Sequence, residues 1–111
     1  MKRLAVSLAL FGVAIAAAAH AEAAARKIEI QVTADGYKPS TMRAKPGEKL
    51  VLVFKRIGSA GCGNTVVVPA ANFRADLVEG KPVEVAVTMP KQGKLTFACP
   101  MDMYQGEILP P

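Results

Sequence analysis

The chain has 111 residues, with 14 Lys and Arg against 9 Asp and Glu, one His and two Cys. That length holds one compact domain. Its basic residues are scattered without aromatic interleaving, so the net charge of +5 reads as a solvated face and gives no support to a nucleic-acid partner.

In chain order, Met1-Lys2-Arg3 is a short basic patch, followed by the uncharged apolar run LAVSLALFGVAIAAAA and by Ala19-His20-Ala21. This is the n-region, h-region and A-x-A site of a secretory signal peptide. The apolar run is shorter than the roughly 20 residues that span a bilayer. Cleavage after Ala21 is therefore expected rather than a retained anchor, although Ala23-Ala24-Ala25 offers a second cut. Residues 1–21 are read as leader and 22–111 as one domain with no stable membrane insertion after cleavage. Without Lys2 and Arg3 the mature chain carries 12 basic and 9 acidic residues, a net charge of +3. A domain this small has a modest core, which a staple or a bound metal would help to stabilise.

KIEIQVT alternates Ile28, Ile30 and Val32 with polar residues, the pattern of a half-buried strand. Ala34-Asp35-Gly36 makes a turn, and a second short segment runs from Tyr37 to Arg43. Lys45-Pro46-Gly47-Glu48 is a strong turn signal. KLVLVFKRI follows, apolar on both faces in its middle, which predicts cover on both sides. A Gly-, Ser- and Ala-rich loop over 58–63 leads into the β-branched run TVVV. Residues 70–80 read as irregular or as one helical turn. PVEVAVTM, KLTFA and GEIL are further strands, with Lys91-Gln92-Gly93 as a turn. Seven or eight short strands without a long amphipathic helix predict an all-β fold, a two-sheet Greek-key sandwich or small barrel. Chemistry is then expected on the loops at one end.

The stretch FACPMDMYQG sets Cys99, Met101 and Met103 at alternate positions. If residues 99–103 stay extended, the three sulfurs share one face and Pro100 and Asp102 point away. A lone Met is usually core filler, as Met42 and Met89 are read. Two on a polar loop make poor core. Thiolate and thioether are soft donors that select Cu(I), so Cys62, Cys99, Met101 and Met103 are the candidate metal ligands. The competing reading is a disulfide, the usual fate of an even cysteine count in a secreted chain. It would add about 4 kcal/mol on the disputed chain-entropy argument. Structural zinc needs four Cys or His ligands, and the one histidine, His20, leaves with the leader. The carboxylates are too dispersed for calcium or magnesium. No base histidine, paired carboxylates or phosphate loop points to an enzyme.

Over nearly all of the mature chain the sequence resembles a cupredoxin. The resemblance is carried by Gly36-Tyr37-Lys38-Pro39, Ala44-Lys45-Pro46-Gly47-Glu48, Gly61-Cys62-Gly63-Asn64 before VVVP, and the final FACPMDMYQGEI. It implies a Greek-key sandwich with a metal site between the two cysteine loops, and hence Cys62 and Cys99 with Cα atoms within roughly 7 Å. Classical blue-copper sites use two His, one Cys and a weak axial Met. Here Asn64 stands where the first His is expected, and the second is absent, which argues against blue-copper electron transfer. The chain is more similar to cupredoxin-like Cu(I) chaperones and exporter-fused domains that end in a C-x-M-x-M loop. That likeness implies a tight Cu(I) site at Cys62 and Cys99 and a weaker, exchangeable one at Met101 and Met103. It further implies a periplasmic, monomeric copper-buffering or delivery protein whose partner is a copper exporter or a copper enzyme. The alternatives are a disulfide-stapled binding module without metal, and a cupredoxin-like domain of a metal-uptake system such as those of iron-uptake lipoproteins.

Overall fold

A computed structural model describes residues 25–111, and the expected leader lies outside the described residues. Nine strands form two sheets: β1 (Arg26–Thr33), β2 (Gly36–Lys38), β3 (Thr41–Arg43), β4 (Lys49–Arg56), β5 (Thr65–Val68), β6 (Phe73–Asp76), β7 (Val83–Thr88), β8 (Leu95–Ala98) and β9 (Gln105–Leu109). One sheet runs β2-β1-β4-β7 and the other β3-β9-β8-β5-β6. The pairs β1–β4 and β3–β9 are parallel; the other ladders are antiparallel.

The alternation in β1 and β4 produces the sandwich core. Ile30, Val32, Leu50, Leu52 and Phe54 point inward and meet Val66, Val68, Leu95, Phe97 and Ile108 of the second sheet. Burial of such side chains contributes roughly 1.5–3 kcal/mol each. Met89 is buried and Met42 packs against the core, as the filler role predicts.

The outer face of β4 is only half-covered, a correction to the expectation of cover on both sides. Val51 lies between Lys27 and Ala86, and Val53 between Glu29 and Glu84. The Lys27–Glu84 ion pair, 3.3 Å, crosses β4 at that face. Long charged side chains laid over apolar surface bury their stems and keep their heads in water.

Two further differences raise the strand count above seven or eight. The segment from Tyr37 to Arg43 splits into β2 and β3, which join different sheets. Pro39, after a cis peptide bond, lies between them, and a proline has no N–H for a ladder. Residues 73–76, within the stretch read as irregular or as one helical turn, form edge strand β6 against β5. Only Phe73 and Ala75 in it are half-buried, so its pattern is faint.

At one end of the sandwich the close of β1, β4 and β8 meets the start of β5 and β9. Gly106 opens this region: it faces Phe97 across the β8–β9 ladder, and a Cβ there would overlap the Phe97 ring. Gly106→Ala is therefore expected to destabilise the domain by about 1–3 kcal/mol through overpacking. Thermal unfolding checks this, since each kcal/mol moves the midpoint by about 4–8 °C in a domain of this size. An unchanged midpoint would mean that the Phe97 ring has room to move.

Candidate functional site

Cys62 sits in a 3-10 turn, Gly61–Asn64, at the head of β5. The turn is closed by the Gly63 N–H on the Ala60 carbonyl at 2.8 Å, and the Ala60 N–H donates to Asn64 Oδ1 at 3.2 Å. The Asn64 carbonyl accepts from the Leu77 N–H. Asn64 thus braces the backbone of the cysteine loop. The Arg56 guanidinium adds bonds to the Gly58 and Leu77 carbonyls at 2.7 and 2.8 Å.

Cys99 follows β8 and begins a tight turn, with the Asp102 N–H donating to its carbonyl at 3.0 Å. Pro100 occupies the second turn position, where its fixed φ is favoured. Asp102 takes a left-handed conformation at φ 57°. The loop closes through Cys99 N–H to the Tyr104 carbonyl, 3.1 Å, and Tyr104 N–H to Cys99 Sγ, 3.3 Å. The expectation that residues 99–103 stay extended is corrected by this turn. A turned backbone does not alternate its side chains. Cys99 is 1% exposed, whereas Met101 and Met103 are 77% and 72% exposed.

Cys62 and Cys99, 37 positions apart in sequence, come together as a disulfide with Cα atoms 5.8 Å apart. The adjacency implied by the resemblance holds. The stapled form of the cysteine pair, one of the two readings left open, is the state in this structure. Met101 and Met103 lie beside Cys99 in the same loop and face solvent. Among the described residues, no group of three or more His, Cys, Asp or Glu side chains converges in a way that could hold a metal ion. Cys62, Cys99, Met101 and Met103 bring four sulfur atoms to this end.

Tyr104 and Gly63 join the two loops, and neither stood out in the sequence. A Cβ on Gly63 would come within 2.6 Å of Tyr104 Cε2 and 2.8 Å of Val32 Cγ1, so only glycine lets the ring seat there. The Tyr104 hydroxyl donates to the Ala34 carbonyl at 2.8 Å. One side chain thus fastens the Cys99 loop to the Cys62 loop and to the end of β1. A signal was present: a tyrosine directly after the methionines, and a glycine directly after a cysteine. Beneath it lies an aromatic floor, with Tyr37–Tyr104, Tyr37–Phe97 and Phe54–Phe97 centroids 5.8, 4.9 and 5.4 Å apart. Such pairs contribute about 0.5–1.5 kcal/mol beyond burial.

Residues 4–109 match the family profile of the cupredoxin-like domain. The apo solution structure of a copper binding protein is similar at 30% identity and TM-score 0.65, covering 77% of this chain and 86% of that one. The metal binding domain of the Cu(I) exporting P-type ATPase CopA of Streptococcus pneumoniae D39, solved with Cu(I), is 21% identical at TM-score 0.67. It covers 77% of this chain and 84% of its own. Reduced auracyanin from Roseiflexus castenholzii is 16% identical at TM-score 0.57, covering 79% and 98%. At those two identities the likeness is one of fold. No curated protein sequence matches the chain.

Tyr37 carries the one buried side-chain polar atom without a hydrogen-bond partner among the described residues, its hydroxyl. Burial, and secondarily the neighbouring Tyr104, push its phenol far above the ordinary value, so the group stays neutral. A buried hydroxyl without a partner costs about 1–3 kcal/mol. Tyr37→Phe is therefore expected to leave the melting temperature unchanged or to raise it. A loss of more than about 1 kcal/mol would show that the hydroxyl holds a partner.

Proposed function

We propose, on the premise that this chain belongs to the cupredoxin-like domain family, that it is a periplasmic copper-binding protein. In this reading it holds Cu(I) through Cys62 and Cys99 and exchanges it through Met101 and Met103. The observation that carries the reading is the meeting of two cysteines, 37 residues apart in sequence, at 5.8 Å between Cα atoms on one end of the sandwich. The likeness at 30% identity to a copper binding protein supports copper as the cargo.

The donor chemistry fits a soft monovalent cation. Thiolates and thioethers match Cu(I), and hard oxygen-seeking ions gain nothing from them. The disulfide has to be reduced first, because two sulfurs bonded to each other are not thiolate donors. Cys99, buried and accepting the Tyr104 N–H, is held in place for the tight site. Met101 and Met103, exposed beside it, are weak donors that an incoming ion meets first and a departing one meets last. Such exchange suits copper buffering, or delivery to an exporter or a copper enzyme, by a monomer. The periplasmic location rests on the leader read over residues 1–21. The protein is taken as a carrier and not an enzyme, in line with a sequence that places no base histidine in residues 22–111. The formed Cys62–Cys99 bond favours one second reading, a stapled binding module without metal.

An anaerobic Cu(I) competition titration of the reduced protein tests the proposal. Cys62→Ser or Cys99→Ser should each abolish tight binding, because a hydroxyl is a hard, poorly matched donor. Met101→Leu with Met103→Leu nearly conserves volume and should remove only the weaker binding. Equal stoichiometry and affinity in the methionine double variant would make those residues bystanders. Tight binding that survives loss of a cysteine would remove the sulfur pair from the site.

A further inference from the structure

We propose that the Cys62–Cys99 bond is a directional redox gate: a dithiol reductant attacks it at Cys62 Sγ, and Cys99 is the sulfur that leaves. The gate's purpose, freeing two thiolates for the metal, rests on the copper reading; the direction of attack does not.

The two halves of the disulfide are unequal. Cys62 is half-buried in a turn flanked by Gly58, Ser59 and Gly61, of which Ser59 and Gly61 are exposed. A Cβ added at Gly58 or Gly61 would meet nothing within 4 Å, so open space adjoins the chain on that side. Cys99 is 1% exposed. A cleft of about 270 Å³ borders it, lined also by Val67, Arg74 and Pro100, yet leaves the residue covered. Thiol–disulfide exchange requires the nucleophile to approach along the line of the breaking bond, and its rate depends on access to the attacked sulfur. Cys62 is the less covered half of the bond and adjoins the exposed Ser59 and Gly61, so a nucleophile reaches its sulfur with less displaced than at Cys99. Approach to Cys99 Sγ would have to displace the residues that cover it.

The leaving side is prepared as well. The Tyr104 N–H donates to Cys99 Sγ at 3.3 Å, and an N–H aimed at sulfur favours the negative charge that develops there as the bond breaks. Tyr104 itself stays fixed through its hydroxyl on Ala34 and its ring on Gly63. Cleavage therefore leaves Cys99 where it was and the two loops still joined.

The step balances as follows. One thiolate of the dithiol forms a bond to Cys62 Sγ, the Cys62–Cys99 bond breaks, and its electron pair stays on Cys99 Sγ. The dithiol's second thiolate then attacks its own sulfur in the mixed disulfide, and the electron pair of that bond leaves with Cys62 Sγ. The dithiol is oxidised by two electrons to its disulfide, and the cysteine pair is reduced by two. The two protons of the dithiol end on the cysteines, or in solvent where Cu(I) takes the sulfurs.

The test uses the oxidised, metal-free protein, so its outcome is independent of copper binding. A brief pulse of glutathione is quenched with acid, free thiols are capped, and tryptic peptides are mapped by mass spectrometry. A parallel sample is treated with sulfite, whose S-sulfonate product stays on the attacked sulfur. Cys62 and Cys99 fall on separate peptides, 57–74 and 95–111. The adduct is expected on Cys62 and the cap on Cys99, by about tenfold or more with either reagent, as restricted access dictates. Adducts mainly on Cys99, an even split, or a bond that neither reagent opens in the folded protein would overturn the proposal. Failure of the copper reading would appear separately, as loss of Cu(I) binding by reduced protein whose gate opens as described.

Discussion

The antiparallel pairing of β5 with β8, with Val67 opposite Ala98, is the constraint from which the sulfur site follows. Because the two strands run in opposite directions, the start of one and the end of the other lie at the same end of the sheet. Cys62 precedes β5 and Cys99 follows β8, so both cysteines arrive there. The pairing holds because Val66, Val68, Leu95 and Phe97 on these strands are all buried in one core. A register slip would turn those side chains to solvent.

On that frame, Tyr104 separates loop placement from cysteine chemistry. The disulfide joins the loops covalently, but the Tyr104 ring on Gly63 and its hydroxyl on Ala34 join them as well. Under the proposed function the sulfurs alternate between bonding each other and bonding a metal, and this second fastening would keep the loops together after reduction. The same loop leaves Met101 and Met103 in solvent while Cys99 is covered. In the proposed copper reading, this difference in burial sets the tight donors apart from the exchangeable ones.

Much of the frame was legible in the sequence, for a physical reason. Ile30 and Val32 lie on a strand with one buried face, and such a strand must alternate; the apolar run Leu50 to Phe54 marked β4 as a strand but not that only one of its faces is buried. Edge strands are less constrained, so β3 and β6 left little trace in Met42 or Phe73. The closeness of Cys62 and Cys99 came from the resemblance carried by the two loops, not from periodicity. The extended reading of residues 99–103 failed because Pro100 and Asp102 were taken as spacers, whereas they are turn formers. Tyr104 escaped notice because its contact with Gly63 depends on the packing of two loops far apart in sequence, which its place after the methionines does not reveal.

The central claim is that the cysteine pair is a metal site in its reduced form and more than a staple. Its most direct test is the melting temperature of oxidised, reduced metal-free and reduced Cu(I)-loaded protein, measured without oxygen. A ligand that binds only the native state raises stability by mass action, by about 4 kcal/mol at a thousandfold excess over its dissociation constant. The account predicts that reduction lowers the melting temperature and that Cu(I) raises it again in the reduced protein. A reduced protein whose melting temperature Cu(I) leaves unchanged would contradict it and leave Cys62–Cys99 as a structural disulfide.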